Sequence, residues 1–446
     1  MKHLVWLGLL AAGWLAAGTA AAQDEYPFDV KDRNNVTPIR DGTKSFKDTA
    51  GAQESVNKAA RWAVLRITDP VNRGQKVGAS APVPMSVLFG DASNLMVNPA
   101  QLAPKPLTEG QKDYVQALGK AAVGHLRTVL GTKDKPSPFE LIVRVNAARI
   151  LAAVGRSGYE ESADLAMDVI ENPNESDAVR MYALQTLRLL LAVPNLEDKK
   201  ASAITKADRE LKVAQTLIAF IGRQPPLTAD ATAEQYEAIR YVRREAIRAL
   251  GLIRKPIIRK DKAVVAEPAL WLLKVAAMDE AVPVVPGLAE RVEAVIGYFQ
   301  LNADRTQNID YAIQWTGAAL VDFAGFAKTK PDPKLEPPEP MPGKEVGVNE
   351  YYGWKFASAR LLGAMKDWKD AWETEHPNPP KPQGTMVIEL VEKTKVLMLD
   401  PILSTAGPSS VESEPLSAWW TGQKWPNALL YKENPKSIVT PIKRDQ

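Results

Sequence analysis

The stretch Val143-Arg144-Val145-Asn146-Ala147-Ala148-Arg149-Ile150-Leu151 contains a phrase, V-R-x-x-A-x-x-x-L, that returns twice: as Val179-Arg180, Ala183 and Leu187, and as Val242-Arg243, Ala246 and Leu250. In each copy the Val, Ala and Leu stand four residues apart, which stacks them on one face of an α-helix. Each stripe continues three residues later with Val154, Leu190 or Ile253. A helix with such a stripe needs neighbours to cover it. Reuse of one helix therefore predicts stacked helical repeats in preference to a single closed core.

Helix punctuation supports hairpins on either side of the phrase. Thr108 with Gln111 reads as a capping box, Val115, Leu118, Ala122, Leu126 and Val129 form a stripe, and Gly131 reads as a stop. Ser137-Pro138-Phe139-Glu140 reads as the next start, combining a cap, a first-turn proline and a reciprocal Glu, with Gly155 as its end. Further pairs are predicted at 162–171 with 177–192, 201–222 with 232–253 and 268–278 with 286–300, followed by a helix over about 308–327. No strand alternation stands out.

The flanks are less regular. Residues 23–107 read as an extended leader with one helix, 53–67, and an irregular proline-containing wrap. Residues 328–348 are a proline-rich linker that favours extended polyproline II. Beyond it, 349–446 is a Trp-rich helical region: a helix at 349–374 with the stripe Trp354, Leu361, Met365, Trp368 and Trp372, a proline cluster at 377–382, a helix at 385–399 ending before Pro401, and a tail with Trp419, Trp420 and Trp425.

The chain has 446 residues, no cysteine, and 56 Lys plus Arg against 53 Asp plus Glu. Near balance argues against a surface built throughout for nucleic acid or anionic membrane, so a charge-driven partner must be met locally. Lys2, an apolar run over 4–17 and Ala20-Ala21-Ala22 read as a signal peptide over 1–22, cleaved after Ala22. No later stretch approaches the roughly 18 apolar residues of a membrane span, so a soluble periplasmic or secreted protein is expected. Without disulfides or thiolate ligands, packing alone must hold it.

The repeated phrase resembles the second helix of HEAT-type (armadillo-like) repeats, where an Asp-led V-R-x-x-A run packs the inner layer and its Arg pairs with an acid in the stack. Asp177-Ala178-Val179-Arg180-Met181-Tyr182-Ala183 matches best, while the other two copies carry Leu141 and Arg240 where the Asp would stand. Lys355-Phe356-Ala357-Ser358-Ala359-Arg360-Leu361-Leu362 looks like a degenerate fourth copy. The copies are 36 and then 63 residues apart, so one hairpin is lengthened. The resemblance covers 108–327 and implies an all-α, HEAT-like α-solenoid of antiparallel hairpins that binds macromolecules across a curved surface. It carries over no catalytic residue.

Two sets of residues are candidate sites. Arg240, Arg244 and Arg248 align at i, i+4 and i+8, nearly opposite the apolar stripe of their helix; with Arg254 and Arg259 following, residues 240–262 hold nine basic and two acidic side chains. Clustered guanidinium groups bind carboxylate or phosphate, but the commoner reading is a solvated face paired to acidic neighbours. Trp419, Trp420 and Trp425 could present rings to a glycan, yet packing is the commoner role of such side chains.

Catalysis is hard to assemble. After signal removal only His125 and His376 remain, and no G-x-S-x-G, P-loop, G-x-G-x-x-G, H-E-x-x-H or EF-hand pattern occurs. No cofactor or metal is expected. The leading expectation is an exported, non-enzymatic scaffold that binds a protein or anionic cell-envelope partner and no nucleic acid. The competing one is a carbohydrate-active enzyme or glycan-binding protein on paired helices, because two facing carboxylates leave no linear signature.

Overall fold

Of the fifteen residues that make up the three phrases and their extensions, fourteen lie within helices and Ile253 sits two residues past the end of its own, and the twelve apolar ones, from Val143 to Ile253, are all buried. The computed structural model describes residues 28–69, 76–77, 81–82, 84–98, 107–132, 134–193, 202–228, 230–304, 306–330, 350–375, 385–404, 407–426 and 428–442. The expected signal peptide, most of the proline-rich linker, the 377–382 cluster and His376 lie outside these. The chain divides into two compact units, Met1–Thr205 and Lys206–Gln446, a boundary that falls inside the 108–327 span.

In the first unit, α1 (Val30–Arg40), α2 (Ala52–Thr68), β1 (Lys76–Val77), β2 (Ala81–Pro82), α3 (Met85–Ser93), α4 (Glu109–Leu130), α5 (Leu141–Arg156), α6 (Ser162–Glu171) and α7 (Asp177–Ala192) follow in order. Helices α1/α2, α4/α5 and α6/α7 form hairpins. Their second members α2, α5 and α7 pack on one another in sequence, and α1, α4 and α6 form a second row. The reason is the stripe: a Val, an Ala and a Leu per helix, each large side chain contributing about 1.5–3 kcal/mol on burial, are satisfied only by the next hairpin.

The second unit repeats the plan with α8 (Ala207–Ile221), α9 (Ala233–Gly251), β3 (Ile258–Lys260), β4 (Ala263–Ala266), α10 (Pro268–Ala277), α11 (Leu288–Gln300), α12 (Ile309–Lys328) and α13 (Glu350–Glu375). Here α9, α11 and α13 make one row and α8, α10 and α12 the other. Against α12 and α13 pack α14 (Thr385–Thr394), the π-helical turn Lys395–Leu399, α15 (Asp400–Leu403) and α16 (Ser413–Thr421). The final residues return along the interhelical loops, with Leu430 O accepting from Asn308 N at 2.8 Å and Met278 O accepting from Ile442 N at 3.0 Å. Among the described residues no helix is long and apolar enough to cross a membrane.

Each phrase's arginine is tied to an acid. Arg180 pairs with Asp177 at 2.8 Å, Arg144 with Glu175 at 3.2 Å and Arg243 with Glu290 at 2.6 Å. Arg144 and Arg243 thus draw their acids from the following hairpin, although Leu141 and Arg240 occupy the Asp position of their own helices.

Several expectations need correction. The leader holds α1 and α3 besides the expected helix. Helix α1 escaped notice because its window is polar; Asp29 caps it, and only Asp32, Val36 and Ile39 are buried. Ser137 does not cap α5: its hydroxyl donates to Val129 O, at the end of α4, and accepts from Phe139 N, so the helix begins only at Leu141. Gly155 lies within α5, where a side chain would press on Thr186. Two short hairpins exist where no strand was expected. The β3–β4 turn passes through Asp261 and Lys262, both at positive φ, as a type I′ turn demands. Pro401 does not end its helix, since it sits in the first turn of α15 just beyond the wide π turn.

Candidate binding cleft

Helix α9 starts at Thr232, whose hydroxyl accepts from Gln235 N while Gln235 Oε1 accepts from Thr232 N at 2.8 Å. That cap fixes the register, turning Val242, Ala246 and Leu250 inward. Arg243 goes inward with them: it is 3 % exposed, forks onto both Glu290 oxygens, and donates to the carbonyls of Pro283 and Val284. It is structural.

The five candidate arginines do not converge. Arg240 pairs with Glu237 at 2.5 Å and donates to Val285 O at 3.1 Å. Arg259, on β3, is held by Glu433 of the returning tail and by Thr306. Arg254 adopts φ 63°, accepts Asn302 N through its carbonyl and lines a cavity of about 490 Å³ with Asp367 and Trp368. Arg244 and Arg248 alone share a site, a cleft of about 450 Å³ where α9, α11, α12 and α13 meet.

Its floor is ionic. Glu293 of α11 accepts from Arg248 at 2.6 Å and from Arg360 of α13 at 2.9 Å, and Arg248 also donates to Glu245 at 2.7 Å. Burial works to raise the Glu293 carboxyl, but the hydrogen bonds and charges of Arg248 and Arg360 outweigh it and hold its pKa below the ordinary value. Arg248, likewise buried against its charge, is held more firmly protonated by Glu293 and Glu245.

Its walls are apolar: Leu288, Ala289 and Val292 from α11, Phe323 and Phe326 from α12, and Trp354, Phe356 and Ala357 from α13. Phe326 and Trp354 lie 4.5 Å apart, and the Lys330 ammonium stands 4.4 Å from the Phe326 centroid. Phe356 is 66 % exposed, and neighbouring Tyr241 is 50 % exposed. Arg244 rests on the Tyr241 ring at 5.1 Å and, among the described residues, has no acidic partner. The cleft thus offers one guanidinium without a carboxylate beside exposed rings.

Sequence reasoning found Arg244 and Arg248 but not Phe326 or Phe356, and it placed Trp354 in a core stripe. The one signal was the degenerate fourth copy at Lys355-Phe356, whose Arg360 joins the ionic floor. The other tryptophans singled out in the sequence each have a partner in the fold. Trp368 and Trp372 are buried and stacked at 5.4 Å. Trp419 donates to Glu389 at 2.9 Å, Trp420 donates to Gln314 O at 3.1 Å and covers Gly317, and Trp425 lies 5.8 Å from Trp420 beside a pocket of about 250 Å³. His125 is half-buried, and burial together with the Arg61 charge lowers its pKa. Comparison with known proteins finds no family model and no curated protein that matches this chain.

Proposed function

We propose that this chain is an exported, non-enzymatic scaffold of HEAT-like hairpins that holds a protein partner on the row formed by α9, α11 and α13. The observation that carries the reading is the cleft: an arginine with no acidic partner among the described residues, set among rings that folding leaves exposed. Exposed aromatic and arginine side chains are the usual anchors of protein contacts, and large apolar groups left open commonly mark interaction surfaces. The HEAT reading draws support from the repeated phrase, from hairpins whose second helices pack in succession, and from the acid that each phrase arginine finds. Export is supported by Lys2, the apolar run over 4–17 and the small residues before Gln23, and it sets a periplasmic or secreted location.

The test places a photoreactive phenylalanine analogue at position 356 of the full chain in its native host. A discrete protein adduct that vanishes with Arg244→Glu is expected. Adducts to polysaccharide alone, or none above those formed from an analogue at Tyr182, would refute the reading.

A further inference from the structure

The scaffold reading leaves the partner's chemistry open, and the cleft narrows it. Resting on that reading, we infer that the cleft takes an extended, acidic segment of a protein, seating an apolar side chain between α11 and α13 and a carboxylate on Arg244.

Charge complementarity is the first argument. Among the described residues, Arg244, Arg248 and Arg360 stand at or beside the cleft with Glu245 and Glu293, and both carboxylates are already occupied by Arg248 and Arg360. The field left over is positive. Arg244 is also held near the cleft by its cation–π contact with Tyr241 at 5.1 Å, which uses none of its N–H donors and, among the described residues, leaves them for a bidentate carboxylate.

The walls supply the second argument, and they separate a peptide from a glycan. Among the described residues, no Ser, Thr, Asn, Gln or Asp lines this cleft. Sugars present hydroxyls on every edge and need donors and acceptors distributed around a stacking ring, whereas the described walls give aliphatic and aromatic surface with polar side chains only at two arginines and one satisfied Glu. Burying sugar hydroxyls here would leave them unpaired, at a cost of about 1–3 kcal/mol each. An apolar side chain loses nothing on entering. Its neighbouring carboxylate gains an ion pair in a site partly shielded from water.

The experiment uses the full chain and fluorescence anisotropy with a panel of labelled peptides of about twelve residues, alternating Glu or Asp with Phe or Leu. Matching panels carry Lys for each acid, or Ser for each apolar residue. Acidic-apolar peptides should bind, both altered panels should bind at least about tenfold more weakly, and raising salt to about 0.3 M should weaken binding. Arg244→Gln and Phe356→Ser, on opposite sides of the cleft, should each lower affinity several-fold while leaving the thermal midpoint unchanged.

Equal binding of the acid and Lys panels, or binding indifferent to both substitutions, overturns the inference. Arg244-dependent binding of dextran sulfate without peptide binding assigns the cleft to an anionic polymer and overturns it too. Peptide binding that emerges only when residues 331–349 are deleted makes the chain's own proline-rich stretch the occupant, with the same consequence. Failure of the scaffold reading is seen separately, since the position-356 crosslink can yield a protein adduct even when no acidic peptide binds.

Discussion

Gly251 of α9 and Gly297 of α11 meet backbone to backbone: a methyl group on Gly251 would collide with the Cα of Gly297, and one on Gly297 would stand 3.3 Å from the Cα of Gly251. Helices α9 and α11 therefore cross with no side chain between them. Gly251→Ala should force them apart and cost about 1–3 kcal/mol, because a packed backbone has no rotamer with which to yield. Gly363→Ala is the control. Gly363 is an exposed α13 residue whose added methyl meets nothing within 4 Å, so the change should stabilise by roughly 0.4–1 kcal/mol. Urea midpoints of the two variants should move in opposite directions.

Much of this architecture is legible in the sequence because its determinants are local. Ser162–Glu171 and Asp177–Ala192 begin and end where the sequence places them, and Thr108 forms the capping box that Gln111 implies. What escaped depends on distant partners. Ser137 looks like a cap until Val129 O claims its hydroxyl. Helix α1 has too few apolar residues to announce itself before α2 covers Val36 and Ile39. The cleft was half visible for the same reason: the Arg244 face lies on one helix, whereas Phe326 and Phe356 arrive from two others.

Arg243 tests how far the phrase arginines hold successive hairpins together. It binds Glu290 through both arms of its fork and fastens the loop before α11, where Val284 is held at φ 58°, a region that β-branched residues seldom enter. Arg243→Ala should cost about 3–5 kcal/mol, since Glu290 would be left buried without its counter-ion. Arg243→Lys should recover only part of this, as an ammonium cannot replace the fork. Chemical denaturation of both variants, combined with Glu290→Gln in a double-mutant cycle, should reveal strong coupling; additive effects would show that the pair does not act as a unit.

Acid should loosen the floor of the cleft. The Glu293 pKa is depressed in the folded protein, so its ionised form contributes stability that is fully present above the ordinary glutamate value of 4.5 and is lost as pH falls through the lower folded value. Wild-type stability should therefore drop below about pH 4.5 more steeply than that of Glu293→Gln, which should be weaker at neutral pH and flatter in acid. Thermal midpoints measured from pH 7 downward check this. Parallel curves would mean that Arg248 and Arg360 contribute nothing through that carboxylate.

The tail tryptophans give the sharpest contrast between packing and ligand binding. Trp420 lies over Gly317 so closely that a methyl group there would stand 2.7 Å from the ring, and its indole N–H is committed to Gln314 O. Trp419 is committed to Glu389. A ring that seals a helix loses stability when truncated, whereas a ring offered to sugars loses only retention. Both rings are half-buried, so Trp420→Ala should cost about 1–3 kcal/mol, below the 3–5 of a fully buried Trp, and Trp419→Ala less. Gly317→Ala should imitate Trp420→Ala by displacing the ring without removing it. Mobility of each variant in gels containing soluble polysaccharide should stay that of the wild type; a loss of retardation at unchanged thermal midpoint would instead return these rings to a glycan-binding role.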